Sequence, residues 1–177
     1  RANTLVEAFR LWSEAGPEAK LLAGGQSLLA TLAFRLSEPT VLVDISRVAE
    51  LRGIAASGNA LRVGALTTHA ELGADTIVRQ QVPLLAAAVP LIAHPAVRNR
   101  GTIGGSLAYA DPAAELPACS VALEATILAR SATTERRIPA GASGAFSATC
   151  GRSLSDASSL NAVSRATRSR SCPTGSD

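Results

Sequence analysis

The stretch "KLLAGGQSLLATLAFRLSEPTVLVDI", Lys20 to Ile45, carries the reading of the fold. "KLLA" is a short apolar run that ends on Gly24-Gly25, as a buried strand does when it enters a tight turn. "SLLATLAFRL" then places apolar residues at helical spacing behind Ser27, a residue type suited to the N-cap. "TVLVDI" reads as a second buried strand with Asp44 at its exit. Strand, glycine turn, helix, strand is the wiring of a nucleotide-binding α/β subdomain. Glycine in such a turn has two readings. It lets successive backbone N–H groups converge on a phosphate, or it merely satisfies the geometry of a strand-to-helix turn. No GKS or GKT follows and no GxGxxG is present, so neither a P-loop nor a dinucleotide fingerprint decides between them.

Upstream, "NTLVEAFRLWSEAG" has Leu5, Val6, Phe9 and Trp12 at helical spacing, and Gly16-Pro17 ends it. Downstream, "LRGIAASGNALRVGAL" reads as a hairpin around Ser-Gly-Asn. Thr68 and Glu71 form a capping box that opens a short helix in "TTHAEL". "VPLLAAAVPLIA" reads as one long apolar helix kinked at Pro90, and "HPAVRNRGTIGGS" as a loop. "PAAELPACSVAL" is expected to be helical, with Asp111 as N-cap and Pro112 at the first helical position. "EATILAR" and "TERRIPA" read as a closing strand pair. These readings divide the chain into a small α/β unit at 1–52, a second α+β unit at 53–140 and a Ser/Arg-rich tail at 141–177. The tail loses hydrophobic patterning abruptly, which is the composition of a disordered segment or of a shifted reading frame. The chain opens on Arg inside what looks like a domain, so a preceding strand is expected to be missing.

Of the 177 residues, 47% are hydrophobic and only 3% aromatic, and methionine is absent, so the core must be built from Leu, Val, Ile and Ala. The net charge of +3 lies mostly in the tail. No basic stripe with interleaved aromatics exists, which argues against a nucleic-acid partner. Cys119, Cys150 and Cys172 show no CxxC spacing, so no metal or iron–sulfur site is expected within the chain. With no signal peptide and no apolar run long enough to span a bilayer, the expected location is cytoplasmic.

"TIGGSLAYADPAAE" repeats the glycine device. Thr102 and Ser106 bracket Gly104-Gly105, and Arg98 and Arg100 precede them. Two such loops suit a ligand with two phosphates, or are two unrelated tight turns. Asp111 and Glu115 could accept hydrogen bonds from ribose hydroxyls, but no nucleophile or metal-ligand set accompanies them as acid and base, so no catalytic residue is assigned. His69 reads as a packing or solvent-facing residue, and His94 as a structural loop residue.

Taken together, "LLAGGQSLL", "LRVGALTTHAEL" and "RNRGTIGGSLAYADPAAELPA" resemble the FAD-binding medium subunit of the molybdenum hydroxylases, from the N-terminus to about Ala140. The resemblance implies an α+β, two-subdomain FAD-binding fold of the vanillyl-alcohol-oxidase type, with a C-terminal subdomain missing here. It implies an FAD pyrophosphate between Ala23, Gly24, Gly25, Gln26 and Ser27 on one side and Thr102, Gly104, Gly105 and Ser106 on the other. Ala108, Asp111 and Glu115 match positions near the cofactor, as do Thr67 and Thr68. The family often has Asn where Ser106 stands. The implied role is an oxidoreductase subunit. Electrons from a molybdopterin-binding large subunit pass through a small subunit's [2Fe–2S] clusters to this FAD, then to NAD, a quinone or oxygen. The alternative is a truncated remnant that is partly folded and carries no cofactor.

Overall fold

A computed structural model describes residues 1–142 and 159–164 of the chain. Helix α1 (Leu5–Ala15) starts where Thr4 accepts a hydrogen bond from the Glu7 amide, and it ends at Gly16, whose φ of 79° is a left-handed geometry. Strand β1 (Lys20–Leu22), helix α2 (Leu28–Ala33) and strand β2 (Leu42–Asp44) follow, and β1 pairs with β2 in parallel, Leu21 opposite Val43. The strand–turn–helix–strand reading therefore holds. Helix α2 is shorter than its sequence pattern: the chain leaves it at Phe34 and takes a positive φ at Arg35. Ser27 occupies the cap position, but its side chain makes no capping bond. Ala2, Leu5, Ala8, Val43, Ile45, Val48, Leu51 and Leu66 form the core of this lobe.

The second lobe begins with the antiparallel hairpin β3 (Ile54–Ser57) and β4 (Ala60–Val63), turned at Gly58 with φ of 59°. Helix α3 (His69–Ala74) carries the expected capping box. The expected single apolar helix is instead α4 (Thr76–Gln81), α5 (Pro83–Ala88) and a 3-10 turn at Val89–Leu91. Pro83 has no N–H to donate and so opens a new helix, and Pro90 does the same for the turn. The segment read as a loop contains α6 (Pro95–Arg98) and α7 (Ile103–Tyr109), which puts Gly104 and Gly105 inside a first helical turn. Helix α8 runs Glu115–Ala122 and is followed by β5 (Thr126–Arg130) and β6 (Glu135–Pro139), an antiparallel pair as expected.

Strand β7 (Ser159–Ser164) lies between β4 and β5, giving the antiparallel order β3-β4-β7-β5-β6. Six residues of the segment expected to be disordered are thus in the middle of a sheet. A strand there pairs the backbone groups that β4 and β5 would otherwise leave open, a gain that needs no hydrophobic alternation. The rest of the tail reading lies outside the described residues.

The helices pack on one face of this sheet around Leu61, Val63, Leu72, Val82, Leu85, Ile103, Leu116 and Ile127. The two lobes are stitched at 51–67. Leu66 donates its N–H to the Leu51 carbonyl at 2.7 Å, Gly64 donates to Gly53 at 2.8 Å, and Leu66 packs in the first lobe's core. Gly64 has no room for a side chain, because a Cβ there would sit 2.4 Å from the Leu51 oxygen.

Candidate functional site

The first glycine turn grows out of β1. Leu22 still accepts the Ile45 N–H at 3.0 Å, and the chain then turns at Gly25, where φ is 76°. Gln26 folds back to donate from its side-chain amide to the Gly24 carbonyl at 3.2 Å, and Leu29 donates its N–H to Gly25. Among the described residues no protein group accepts the backbone N–H of Gly24, Gly25, Gln26 or Ser27. Four successive donors without partners at a chain turn form a concavity suited to an anion.

The second loop differs from its sequence reading. Ile103 donates its N–H to Thr67 at 3.0 Å, Gly104 to Ala65 at 2.9 Å, Gly105 to the Thr102 hydroxyl at 3.1 Å and Ser106 to the Thr102 carbonyl at 3.0 Å. Its glycine amides are therefore spent on the fold and are not a second nest of free donors. Gly104 is there for packing, since a Cβ would meet the Ala65 Cβ at 2.6 Å. A bridge between Thr68 and Thr102 fixes this loop against the start of α3.

The two loops touch. A Cβ on Gly24 would lie 2.1 Å from the Arg100 carbonyl oxygen and 3.1 Å from the Gly101 Cα. Beside this contact opens a cleft of about 160 Å³. Of the expected residues, Ala23, Gly24, Thr68 and Thr102 line it. Gly25, Gln26 and Ser27 continue the same turn. Thr67 is buried with its hydroxyl donating to the Gly53 carbonyl at 3.2 Å, a structural role. Gly105, Ser106, Ala108, Asp111 and Glu115 do not line the cleft. Asp111 does not cap α8, whose cap position is Ala114. Its carboxylate accepts from the Ala113 N–H at 2.9 Å and its carbonyl from the Ala114 N–H at 3.1 Å, so Asp111 closes a turn over Pro112 and Ala113 before the helix begins.

Five further residues complete the wall: Ser46, Arg52, Leu66, Asn99 and Arg100. Only Arg100 had a local signal, its place before the glycine pair. Arg52 donates to the Ser46 carbonyl at 3.1 Å and approaches Glu71 at 3.8 Å, linking the β2 exit to the capping box. Arg98 by contrast is a structural cation, with its guanidinium on the carbonyls of Pro90, Ile92 and Ala93. His94 is exposed and caps α6. His69 is buried, and burial pushes its ring toward the neutral form against the opposing pull of the Thr102 carbonyl and Glu115. Burial and the Glu115 carboxylate both push the Cys119 thiol up, which keeps it protonated. Among the described residues no group of His, Cys, Asp and Glu could hold a metal ion.

Thr68 serves both the cleft and the helix. Its hydroxyl accepts the Glu71 N–H at 3.2 Å and donates to the Glu71 carboxylate at 2.9 Å. Thr68→Ala is expected to cost about 1 kcal/mol, read as a shifted midpoint in urea unfolding. An unchanged midpoint would show that the cap carries no stability.

Free amides on one side of a cleft, two arginines on its walls and two lobes that meet there make an anion site of the kind that takes a nucleotide's phosphates. The chain belongs to the family described as the FAD binding domain in molybdopterin dehydrogenase, which matches residues 1–160. It is 50% identical over 138 residues to the 6-hydroxypseudooxynicotine dehydrogenase complex subunit alpha of Paenarthrobacter nicotinovorans, covering 78% of this chain and 47% of that protein. It is 46% identical over 138 residues to the carbon monoxide dehydrogenase medium chain of Hydrogenophaga pseudoflava, covering 78% and 48%. A solved carbon monoxide dehydrogenase from Hydrogenophaga pseudoflava, which lacks the Mo-pyranopterin moiety of the molybdenum cofactor, superposes with a TM-score of 0.87 at 40% identity. That match covers 95% of this chain and 58% of the other. The chain thus spans about half the length of the curated relatives it matches.

Proposed function

We propose that this chain is the FAD-binding part of an electron-transfer subunit, in a complex whose other subunits hold molybdopterin and [2Fe–2S] clusters. Electrons would arrive from the clusters and leave to an external acceptor, with the hydroxylation or dehydrogenation of substrate done in the molybdenum subunit. The observation that carries the reading is the run of partnerless amides from Gly24 to Ser27 beside a cleft walled by Arg52 and Arg100. These groups suit a pyrophosphate: the amides donate at close range because Gly24 and Gly25 place no side chain in the way, and the arginines offset the charge. The Thr102 hydroxyl, which accepts the Gly105 N–H and keeps its own proton, lines the cleft and adds a neutral donor, whereas Thr68 gives its hydroxyl proton to Glu71. When bound, FAD supplies the redox chemistry, and the residues here bind and orient it without acting as acid, base or nucleophile.

Partner subunits are consistent with exposed apolar side chains just past the cofactor turn, Phe34 at 76% and Leu36 at 77% exposure. We place the complex in the cytoplasm, in keeping with the absence, among the described residues, of a helix long and apolar enough to cross a membrane.

The test is an absorbance spectrum after incubation with FAD and gel filtration of the purified chain. Oxidised-flavin bands that co-elute with the protein are the expected result. A colourless peak would overturn the reading in favour of a remnant without cofactor.

A further inference from the structure

His69 stands apart from the other ionisable groups of the site. It is 6% exposed, and neither ring nitrogen has a hydrogen-bond partner. From the first turn of α3 its backbone N–H donates to the Gly101 carbonyl at 2.9 Å, and its ring lies against the same glycine. A Cβ on Gly101 would sit 2.9 Å from the His69 Cε1 and 3.1 Å from its Nδ1. Gly101 and Arg100 are in turn the segment that Gly24 meets. Contacts therefore run in one line from His69, through Gly101 and Arg100, to the turn that carries the free amides.

We propose that His69 is a positioning residue whose neutral ring holds the 100–102 segment against the first glycine turn, so that the grip on FAD is lost on acidification. This rests on the reading of the cleft as an FAD site. Burying an imidazole with no partner is tolerable only while it is uncharged, since a buried unpaired charge costs far more than a buried unpaired dipole. Two groups favour the charged ring, the Thr102 carbonyl and the Glu115 carboxylate on α8, and burial outweighs both. On α3 itself Glu71 is committed to the capping box and Arg52. Helix α4 brings Asp75, which caps that helix, and Arg79, which binds the Gly73 carbonyl. Helix α5 and the 3-10 turn bring no ionisable side chain. Helix α6 brings exposed His94 and Arg98, the latter on its three carbonyls. Cys119 on α8 stays a neutral thiol. The closed seam thus favours the neutral ring, and any state in which the seam parts takes up a proton more readily. Closure is complete above the ordinary histidine range and weakens as the pH falls through and below it.

The test uses the full 177-residue chain, His69→Gln as a side chain that cannot titrate and His69→Asn as a second such variant in case the first folds poorly. FAD affinity is read by flavin fluorescence between about pH 7.5 and about pH 5, and the thermal midpoint of the FAD-free protein over the same range. Wild type is expected to bind FAD about tenfold more weakly at the acid end, within the usual range of coupling between two linked binding events. The variants should show a flat profile, and their FAD-free midpoints should fall less on acidification. Variants that bind FAD and lose it with the same pH dependence as wild type would overturn the role of His69. A wild type that shows the His69-dependent thermal slope yet takes up no FAD at any pH would instead overturn the FAD reading, and the clamp with it.

Discussion

Gly24→Ala should weaken FAD binding about 100-fold or more, a loss of roughly 2.7 kcal/mol in binding free energy. The backbone at Gly24 is not in the left-handed region, so alanine meets no conformational strain there. The whole penalty is steric: the new methyl carbon would lie 2.1 Å from the Arg100 carbonyl oxygen. That oxygen belongs to a segment with little freedom, because the Arg100 and Gly101 amides both donate to Val97 at 3.2 and 2.7 Å, and His69 backs Gly101 from the other side. Relief comes only by parting the two loops, which displaces the free amides from the arginine wall. Overpacking of this kind costs about 1–3 kcal/mol in stability as well. Gly25→Ala is a different experiment. Its φ of 76° strains any residue with a Cβ, by about 1–2 kcal/mol, but its nearest neighbours are the ends of the Leu22 and Leu29 side chains, which can rotate away. FAD titration by fluorescence and urea unfolding of both variants separate the two causes. Gly24→Ala protein that binds FAD with wild-type affinity would show that the loop contact is irrelevant to the site.

The first glycine turn was legible from sequence because its cause is local. A strand must end, a helix must begin, and Gly24-Gly25 between "KLLA" and "SLL" marks the place. The capping box at Thr68 and Glu71 and the hairpins at 54–63 and 126–139 were legible for the same reason. What failed was every inference that needed a long-range partner. Thr102 and the glycine pair look like a second nest until Thr67 and Ala65, some forty residues upstream, turn out to consume the amides. Asp111 before Pro112 has the composition of a cap, yet the helix starts at Glu115. Arg52, Ser46 and Asn99 carry no motif, and only the folding of 51–67 across the lobe boundary brings them to one cleft. His69 looked like an ordinary packing residue, and it is one, but what it packs against is the loop that closes the site. The place of β7 in the sheet was illegible because it is set by pairing with the backbones of β4 and β5, both distant in sequence.

This asymmetry between the loops makes the second pair of glycines separable by mutation. Gly104→Ala should destabilise the protein by roughly 2–3 kcal/mol, in the upper part of the range for an overpacked site. The added carbon would lie 2.6 Å from the Ala65 Cβ and 2.7 Å from its carbonyl oxygen, the same carbonyl that accepts the Gly104 N–H at 2.9 Å. To make room, α7 must move away from the 64–67 segment, which stretches the bonds of Gly104 to Ala65 and of Ile103 to Thr67 together. Because 64–67 is also the seam with the first lobe, through Leu66 and Leu51, the cleft should widen and FAD affinity fall with stability. Gly105→Ala meets only the Thr102 hydroxyl, at 2.9 Å, and alanine favours a helix over glycine by about 0.8–1 kcal/mol. A small rotation of Thr102 accommodates it, so its urea midpoint should stay close to wild type and its FAD affinity should change less than tenfold. Were the second loop a nest of phosphate-binding amides, Gly105→Ala would damage FAD binding as much as Gly104→Ala while leaving stability intact. Equal loss of affinity in the two variants would therefore restore that nest; a large effect confined to Gly104→Ala identifies the second loop as the strut that holds the first one in place.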